Sequence, residues 1–341
     1  MEKEHSNFEI PSGTKVLVTG ATGFTGSLLV RKLVQAGVKV SAIARKTSNL
    51  KPLSDLKINW FRGDVYDPQI IESAVQGVEY IFHVAAAFRE AKLGDEAYHL
   101  VHEKSTELLA KEALNQENFK RFIHVSTVGV HSHIDRPPAD ENYPFQPDDI
   151  YQRTKAEGEK WIYQFSKKSG LPLSIIRPCM IYGPNDKRMF KLFKMVWKGR
   201  VPMISHKNTL YHLIHVDDLT DFFIWCAVHP NALGEVIICG NKETTNLKNL
   251  SETIGEELQK KVRFFNIPKG PFFLLGDICE FVCKRIHVEP PIYRRRIAFF
   301  TKDRSFNVSK MLNQVNFTPK WDNSTGPKMT AKWYQENGWF K

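Results

Sequence analysis

Lys15-Val16-Leu17-Val18-Thr19-Gly20-Ala21-Thr22-Gly23-Phe24-Thr25-Gly26 is the stretch on which the reading of this chain turns. Its first five residues read as a buried strand. Leu28, Leu29, Leu33 and Val34 then recur at helical spacing until Gly37 stops the helix. Between strand and helix, Gly20, Gly23 and Gly26 fall at intervals of three. Glycine there lets the backbone turn sharply, approach a pyrophosphate with no Cβ in the way, and pack the helix against a sheet. The helix opens with free N–H groups and the positive end of its dipole, which suits phosphates. A glycine triplet alone says little. Its place between a strand and a helix gives it meaning. Thr19, Gly20, Thr22, Gly23, Phe24, Thr25 and Gly26 are the candidate cradle.

Working outward, apolar runs at 38–44, 58–61, 80–84, 122–125 and 173–176 read as further strands, with stretches long enough for helices between them. Such alternation predicts a parallel sheet covered on both faces, with right-handed crossovers: a doubly wound α/β fold. After Arg177-Pro178 the pattern loosens. Residues 183–186 read as a loop, 188–197 as a helix and 235–239 as one more sheet strand. Prolines, helices and aromatic residues beyond Asn241 point to a smaller second domain, interleaved with the first. The expected division is a dinucleotide-binding part over 1–178, with 206–240 returning to it, and a substrate-binding part over 179–205 and 241–341.

The end of the second strand selects the cofactor. A carboxylate there binds a ribose 2′-hydroxyl and repels a 2′-phosphate. This chain has Ala44-Arg45-Lys46. Two cations and no carboxylate predict NADP, with NAD the less favoured partner. A basic loop facing solvent is the plainer alternative. Asp64 and Val65, after the third strand, are candidates to meet the adenine ring; Asp64 could equally cap the next helix near Pro68.

Tyr151 and Lys155 precede a helical run over 156–169. Four residues apart on a helix, they share one face. A phenol with a pKa of ~10 is a poor proton donor or acceptor at neutral pH, and a neighbouring ammonium lowers that value. Tyr151 is then able to exchange a proton with a carbinol or carbonyl oxygen. Ser126 and Thr127 follow the strand at 122–125, at the carboxyl end where such sheets bind ligands, and offer hydroxyls to the same oxygen.

These motifs, in this order, resemble the extended short-chain dehydrogenase/reductase superfamily and its NAD-dependent epimerase/dehydratase family. The matching pieces are 19–26, His83-Val84-Ala85-Ala86, Ser126-Thr127, Tyr151-x-x-x-Lys155, 177–184 and His215-Val216-Asp217-Asp218-Leu219, and they cover nearly the whole chain. The resemblance implies a Rossmann-type domain with a smaller C-terminal substrate domain, Tyr151 as proton donor or acceptor and Lys155 on the nicotinamide ribose. It gives Thr127, with Ser126 as alternative, the Ser/Thr role. It also implies cofactor contacts at Ala85 and Ala86, and at Pro178, Met180 and Ile181 beside the nicotinamide. The family often has Asn and Gly where this chain has Val101-His102-Glu103-Lys104-Ser105-Thr106, so no asparagine role is carried over. Asp217-Asp218 reads as a helix start. The tail resembles the 3β-hydroxysteroid dehydrogenase and dihydroflavonol-reductase branch. That implies a ketone/secondary-alcohol oxidoreductase on a hydrophobic, steroid-like or 3-oxoacyl substrate. The alternative is a nucleotide-sugar epimerase or dehydratase holding its NAD(P) tightly.

Composition sets the remaining bounds. The chain has 341 residues, 42% hydrophobic and 25% charged, with a net charge of +11. That is the range of a globular protein with a sizeable core, not of a disordered or disulfide-scaffold chain. No run is long and apolar enough for a bilayer span, and 1–15 is too polar for a secretory signal. The positive charge reads chiefly as a scattered, solvated surface. No zinc finger, RNA-recognition signature or basic heptad accompanies it, so no nucleic-acid partner is expected. The five cysteines and the missing signal predict reduced thiols and a cytoplasmic location. Cys279 and Cys283 lack a histidine cluster, so no metal site is expected. The apolar segment over 268–296 is flanked by Arg294, Arg295 and Arg296. It reads as a packed helix first, and as a weak peripheral membrane contact or a pocket wall second. A homodimer is expected from the resemblance alone.

Overall fold

The chain runs β1 (Lys15–Thr19), α1 (Phe24–Gln35), β2 (Lys39–Ala44), β3 (Ile58–Arg62), α2 (Pro68–Val75), β4 (Tyr80–His83), α3 (Asp95–His99), α4 (Ser105–Leu114), β5 (Arg121–Val125) and α5 (Ile150–Ser169). It continues through β6 (Leu173–Pro178), β7 (Met180–Tyr182), α6 (Phe190–Trp197), β8 (Arg200–Ile204), β9 (Leu210–Tyr211), β10 (Leu213–His215), α7 (Val216–Val228) and β11 (Val236–Cys239). After β11 come β12 (Thr245–Asn246), α8 (Leu247–Glu257) and β13 (Arg263–Ile267), and a last helix spans Thr325–Glu336. This is a computed structural model, and it describes residues 9–87, 94–204, 209–267 and 303–341.

Seven strands form one sheet in the order β11-β6-β5-β4-β1-β2-β3, and every neighbouring pair is parallel. The order reverses between β1 and β4, which opens a crevice at the carboxyl ends of those strands. Every residue of β4 and β5 is buried, as expected where helices cover both faces. Val16 and Val18 pack with Leu29 and Leu33 of α1 and Phe222 and Phe223 of α7. Leu17, on the opposite face, packs with Ile71 of α2, Leu109 of α4 and Ile162 of α5. The period of two along β1 is therefore used on both sides. A third cluster joins Phe193 of α6, Ile254 of α8 and Tyr334 of the last helix.

Two helix boundaries differ from the sequence expectation. Helix α5 starts at Ile150 rather than 156, because the Asp149 carboxylate accepts the Gln152 N–H at 2.8 Å and caps it. Tyr151 and Lys155 thus lie inside the helix, in its opening turns. Helix α6 starts at Phe190, since the preceding residues 183–189 turn on the buried Asp186 carboxylate, which accepts the Arg188 N–H at 2.9 Å. The expectations for Cys279, Cys283 and the 268–296 segment fall outside the described residues. Among the described residues no helix is long and apolar enough to cross a membrane.

Candidate active site

The crevice begins at the glycine turn. Gly20 has φ +72°, and a Cβ there would stand 2.8 Å from the Ala85 nitrogen. A Cβ on Gly26 would overlap the Gly20 carbonyl oxygen, so α1 packs against the turn only without one. Helix α1 opens with no side-chain cap and no acidic residue in its first turn. Its first N–H groups are left for an anion, and the dipole favours one. The donor set thus fits a pyrophosphate. Thr22 and Gly23 are exposed on this turn, Phe24 and Thr25 are half-buried, and Thr19 is buried beneath it.

Arg45 and Lys46 are exposed just past β2. Arg62, at the end of β3, donates to the Lys46 carbonyl at 2.6 Å and steadies that loop. Asp64 is exposed and Val65 half-buried in the adjoining turn. The capping alternative for Asp64 is corrected: the Asp67 carboxylate accepts the Gln69 and Ile70 N–H groups and caps α2. Asp67 directly precedes Pro68 at the first helical position, which puts its oxygen within reach of those amides; Asp64 lies three residues too early.

On the other side of the crevice, α5 brings Lys155 under the end of β5. Its Nζ donates to the Val125 carbonyl at 2.9 Å, and the residue is only 3% exposed. Burial pushes the Lys155 ammonium down to about 8, against the opposing pull of the Glu159 carboxylate. Tyr151 is half-buried one turn earlier, its ring edge-to-face with that of His102 at 5.3 Å.

The two hydroxyls after β5 have different partners. Ser126 is buried and donates to the Glu159 carboxylate, which is itself paired with Arg177 at 2.5 Å. Thr127 is half-buried and accepts the Gly129 N–H at 3.0 Å, so its own O–H proton remains for another acceptor. Ala85 is buried and Ala86 exposed on the lip after β4. Pro178 is buried at the end of β6, and Met180 and Ile181 lie half-buried in β7, in register with Leu213 and Ile214 of β10. His215 caps α7, with Asp217 and Asp218 in its first turn.

Sequence reasoning missed a buried layer of imidazoles beneath this crevice. His83 on β4 and His124 on β5 pair in register, with ring centroids 5.6 Å apart, and His102 lies nearby on the segment between α3 and α4. Thr19 Oγ1 stands 2.8 Å from His83 Nδ1 and accepts the Ala85 N–H. Burial holds His83 down at about 3, and the Lys155 charge adds to the effect. Burial likewise holds His102 at about 2 and keeps His124 well below the usual imidazole range. The layer is therefore neutral at any working pH. The one cue in the sequence was that His83 and His124 each sit at or beside the end of an apolar strand.

Comparisons with known proteins agree with this geometry. The profile of the NAD dependent epimerase/dehydratase family matches residues 16–240. The chain is 30% identical over 257 residues to the 3 beta-hydroxysteroid dehydrogenase/Delta 5→4-isomerase of Mycobacterium tuberculosis, covering 71% of this chain and 69% of that one. It is 27% identical over 276 residues to the UDP-glucose 4-epimerase of Vibrio cholerae, 77% of this chain and 81% of that one. The structure of UDP-glucuronic acid 4-epimerase from Bacillus cereus in complex with NAD shares the fold. Its TM-score is 0.75 at 19% identity, over 96% of this chain and 98% of that chain. A glycine cradle, a buried lysine and a half-buried tyrosine thus sit on a chain that belongs to the NAD dependent epimerase/dehydratase family, and it is an oxidoreductase of the extended short-chain dehydrogenase/reductase type that depends on a nicotinamide dinucleotide.

Proposed function

We propose that the protein interconverts a ketone and a secondary alcohol on a hydrophobic, steroid-like or 3-oxoacyl substrate, using NADP(H). The observation that carries the chemistry is Lys155: a buried ammonium, one turn from Tyr151 on the same helix, tied to the end of the strand that leads into Thr127. When bound, the dinucleotide supplies or accepts the hydride. Tyr151 gives its phenolic proton to the carbonyl oxygen during reduction and takes it back during oxidation. The Lys155 ammonium favours the phenolate by its charge and holds the nicotinamide ribose. Thr127 donates its hydroxyl proton to the same substrate oxygen; Ser126, committed to Glu159, acts by fixing the end of β5.

The α1 N-terminus and residues 19–26 bind the pyrophosphate in this reading. Ala85, Ala86, Pro178, Met180 and Ile181 flank the nicotinamide, and Asp64 and Val65 meet the adenine. Arg45 and Lys46, with no carboxylate beside them at the end of β2, favour a 2′-phosphate and hence NADP over NAD. The division into a dinucleotide part and a substrate part, and a homodimer, belong to the same proposal. Support for the substrate class comes from the steroid-acting relative at 30% identity.

The likeness to the Vibrio cholerae enzyme favours a second reading, a nucleotide-sugar epimerase. A nicotinamide absorbance assay with 3-oxosteroids, 3-oxoacyl thioesters and UDP- or dTDP-sugars separates the two. The proposal expects net NADPH consumption with an apolar ketone, abolished by Tyr151→Phe. Sugar conversion with no net change in absorbance refutes it in favour of the epimerase. Full turnover in the Tyr151→Phe protein refutes the assigned proton path.

A further inference from the structure

His102 stands in a five-residue π-helical turn, Leu100–Lys104, which joins α3 and α4 into one continuous helix. Such turns break the regular hydrogen-bond ladder and concentrate where they aim a side chain at a functional site. The His102 carbonyl accepts the Thr106 hydroxyl at 2.7 Å, and α5 crosses so close that a Cβ on Gly158 would overlap that oxygen. His102 is 1% exposed, and its ring also lies edge-to-face with that of Tyr98, centroids 5.9 Å apart.

Its two nitrogens reach two different parts of the crevice. The Ala87 N–H donates to Nε2 at 3.0 Å. Nδ1 lies 2.7 Å from Thr154 Oγ1, and the single proton of that hydroxyl goes to the Ile150 carbonyl at 2.8 Å. Because the Ala87 N–H already donates to it, Nε2 must be bare, and the neutral ring carries its proton on Nδ1; the other tautomer sets two donors against each other at Ala87. We propose that His102 is a positioning residue: its neutral Nδ1–H imidazole locks the crevice lip at Ala87 to the helix that carries Tyr151 and Lys155.

The lip has a second anchor that does not reach α5. The Ala85 N–H donates to Thr19 Oγ1 at 3.2 Å, and Thr19 in turn bonds His83. Loss of His102 therefore frees the lip from α5 while the glycine cradle and its anchor stay in place. Dinucleotide affinity survives and proton transfer suffers, because the Tyr151 ring loses both its wall and its register with the lip. The kinetic consequence rests on the proposed function; the hydrogen-bond arrangement does not.

The test uses the full chain. Nitrogen-15 spectra of selectively labelled histidine, assigned with His102→Gln, are expected to show a bare Nε2 and a protonated Nδ1 from about pH 6 to 9, since burial and the Lys155 charge oppose protonation. The opposite tautomer, or a titration in that range, overturns the proposal. Hydrogen exchange in His102→Ala is expected to speed up at Ala87 by roughly five- to tenfold, the worth of one hydrogen bond, together with the first turn of α5 and without change at Ala85. His102→Gln, whose amide oxygen reaches the Nε2 position, restores protection at Ala87. Unchanged protection at Ala87 in His102→Ala overturns the proposal. With NADPH and a 3-oxosteroid, His102→Ala is expected to lose about tenfold or more in kcat, with the NADPH dissociation constant within about twofold and part of the loss recovered in His102→Gln. If Tyr151→Phe is inactive while His102→Ala keeps the wild-type kcat, this inference fails and the proposed function stands. If the wild type does not turn over the ketone, the function fails, and the spectra and exchange still decide the role of His102.

Discussion

Lys155→Met removes a charge that the fold holds at a loss. The ammonium is 3% exposed, and burial lowers its pKa from 10.5 to about 8. That difference corresponds to roughly 3 kcal/mol of destabilisation wherever the residue is charged in both states. The unfolded chain keeps its proton up to pH 10.5 and the folded one only to about 8. Between those values the unfolded state binds more protons, so wild-type stability gains from Lys155 as pH rises through that window. Below it the penalty is fully present. Methionine keeps much of the apolar stem but leaves the Val125 carbonyl without its donor, a loss of about 1–2 kcal/mol. At pH 7 the variant should therefore be more stable by roughly 1–2 kcal/mol, and above pH 10.5 less stable by about the same amount. Urea denaturation of both proteins across this range reads the difference directly, since other titrating groups cancel between them. A variant less stable than wild type at pH 7, or a difference that does not vary with pH, would refute the reasoning. Turnover should be lost throughout, because no cation remains beside Tyr151.

Glu159→Gln leaves the Arg177 guanidinium, 3% exposed, without a counter-charge and should cost about 3–5 kcal/mol in urea denaturation; the double variant with Arg177→Met should recover much of that. Asp67→Ala removes the α2 cap and should lower stability by about 1 kcal/mol, whereas Asp64→Ala should leave it unchanged. Arg45→Ala combined with Lys46→Ala should raise the NADPH dissociation constant about tenfold or more, with NADH binding unaltered in a fluorescence titration. Equal effects on both dinucleotides would remove the basis for the NADP preference.

The glycine turn is legible in the sequence because its constraints are local. Gly20 needs a positive φ and Gly26 a missing Cβ, and both demands appear as residue identities within one short stretch. The strands of the central sheet were readable for a similar reason: strands covered on both faces are apolar over most of their length. Tyr151 and Lys155 were legible as a pair, but their place inside α5 depends on Asp149, a cap that a pattern of apolar residues does not reveal. The sequence reading offered Asp64 as a cap for α2, and only the backbone path showed that Asp67 reaches its open amides.

The chain by itself determined a dinucleotide fold, its glycine cradle and the order of its candidate catalytic motifs, since each is written in neighbouring residues or a short repeat. Tertiary structure alone decided that Ser126 is bound to Glu159 while Thr127 keeps a proton to give, and that Lys155 is buried against the Val125 carbonyl. It alone gathered His83, His102 and His124 into one neutral layer. Those residues come from two strands and a helical turn, and what brings them together is strand register and the close crossing of α5 at Gly158. Desolvation and hydrogen-bond partnership depend on every group nearby in space, which no local stretch of sequence specifies.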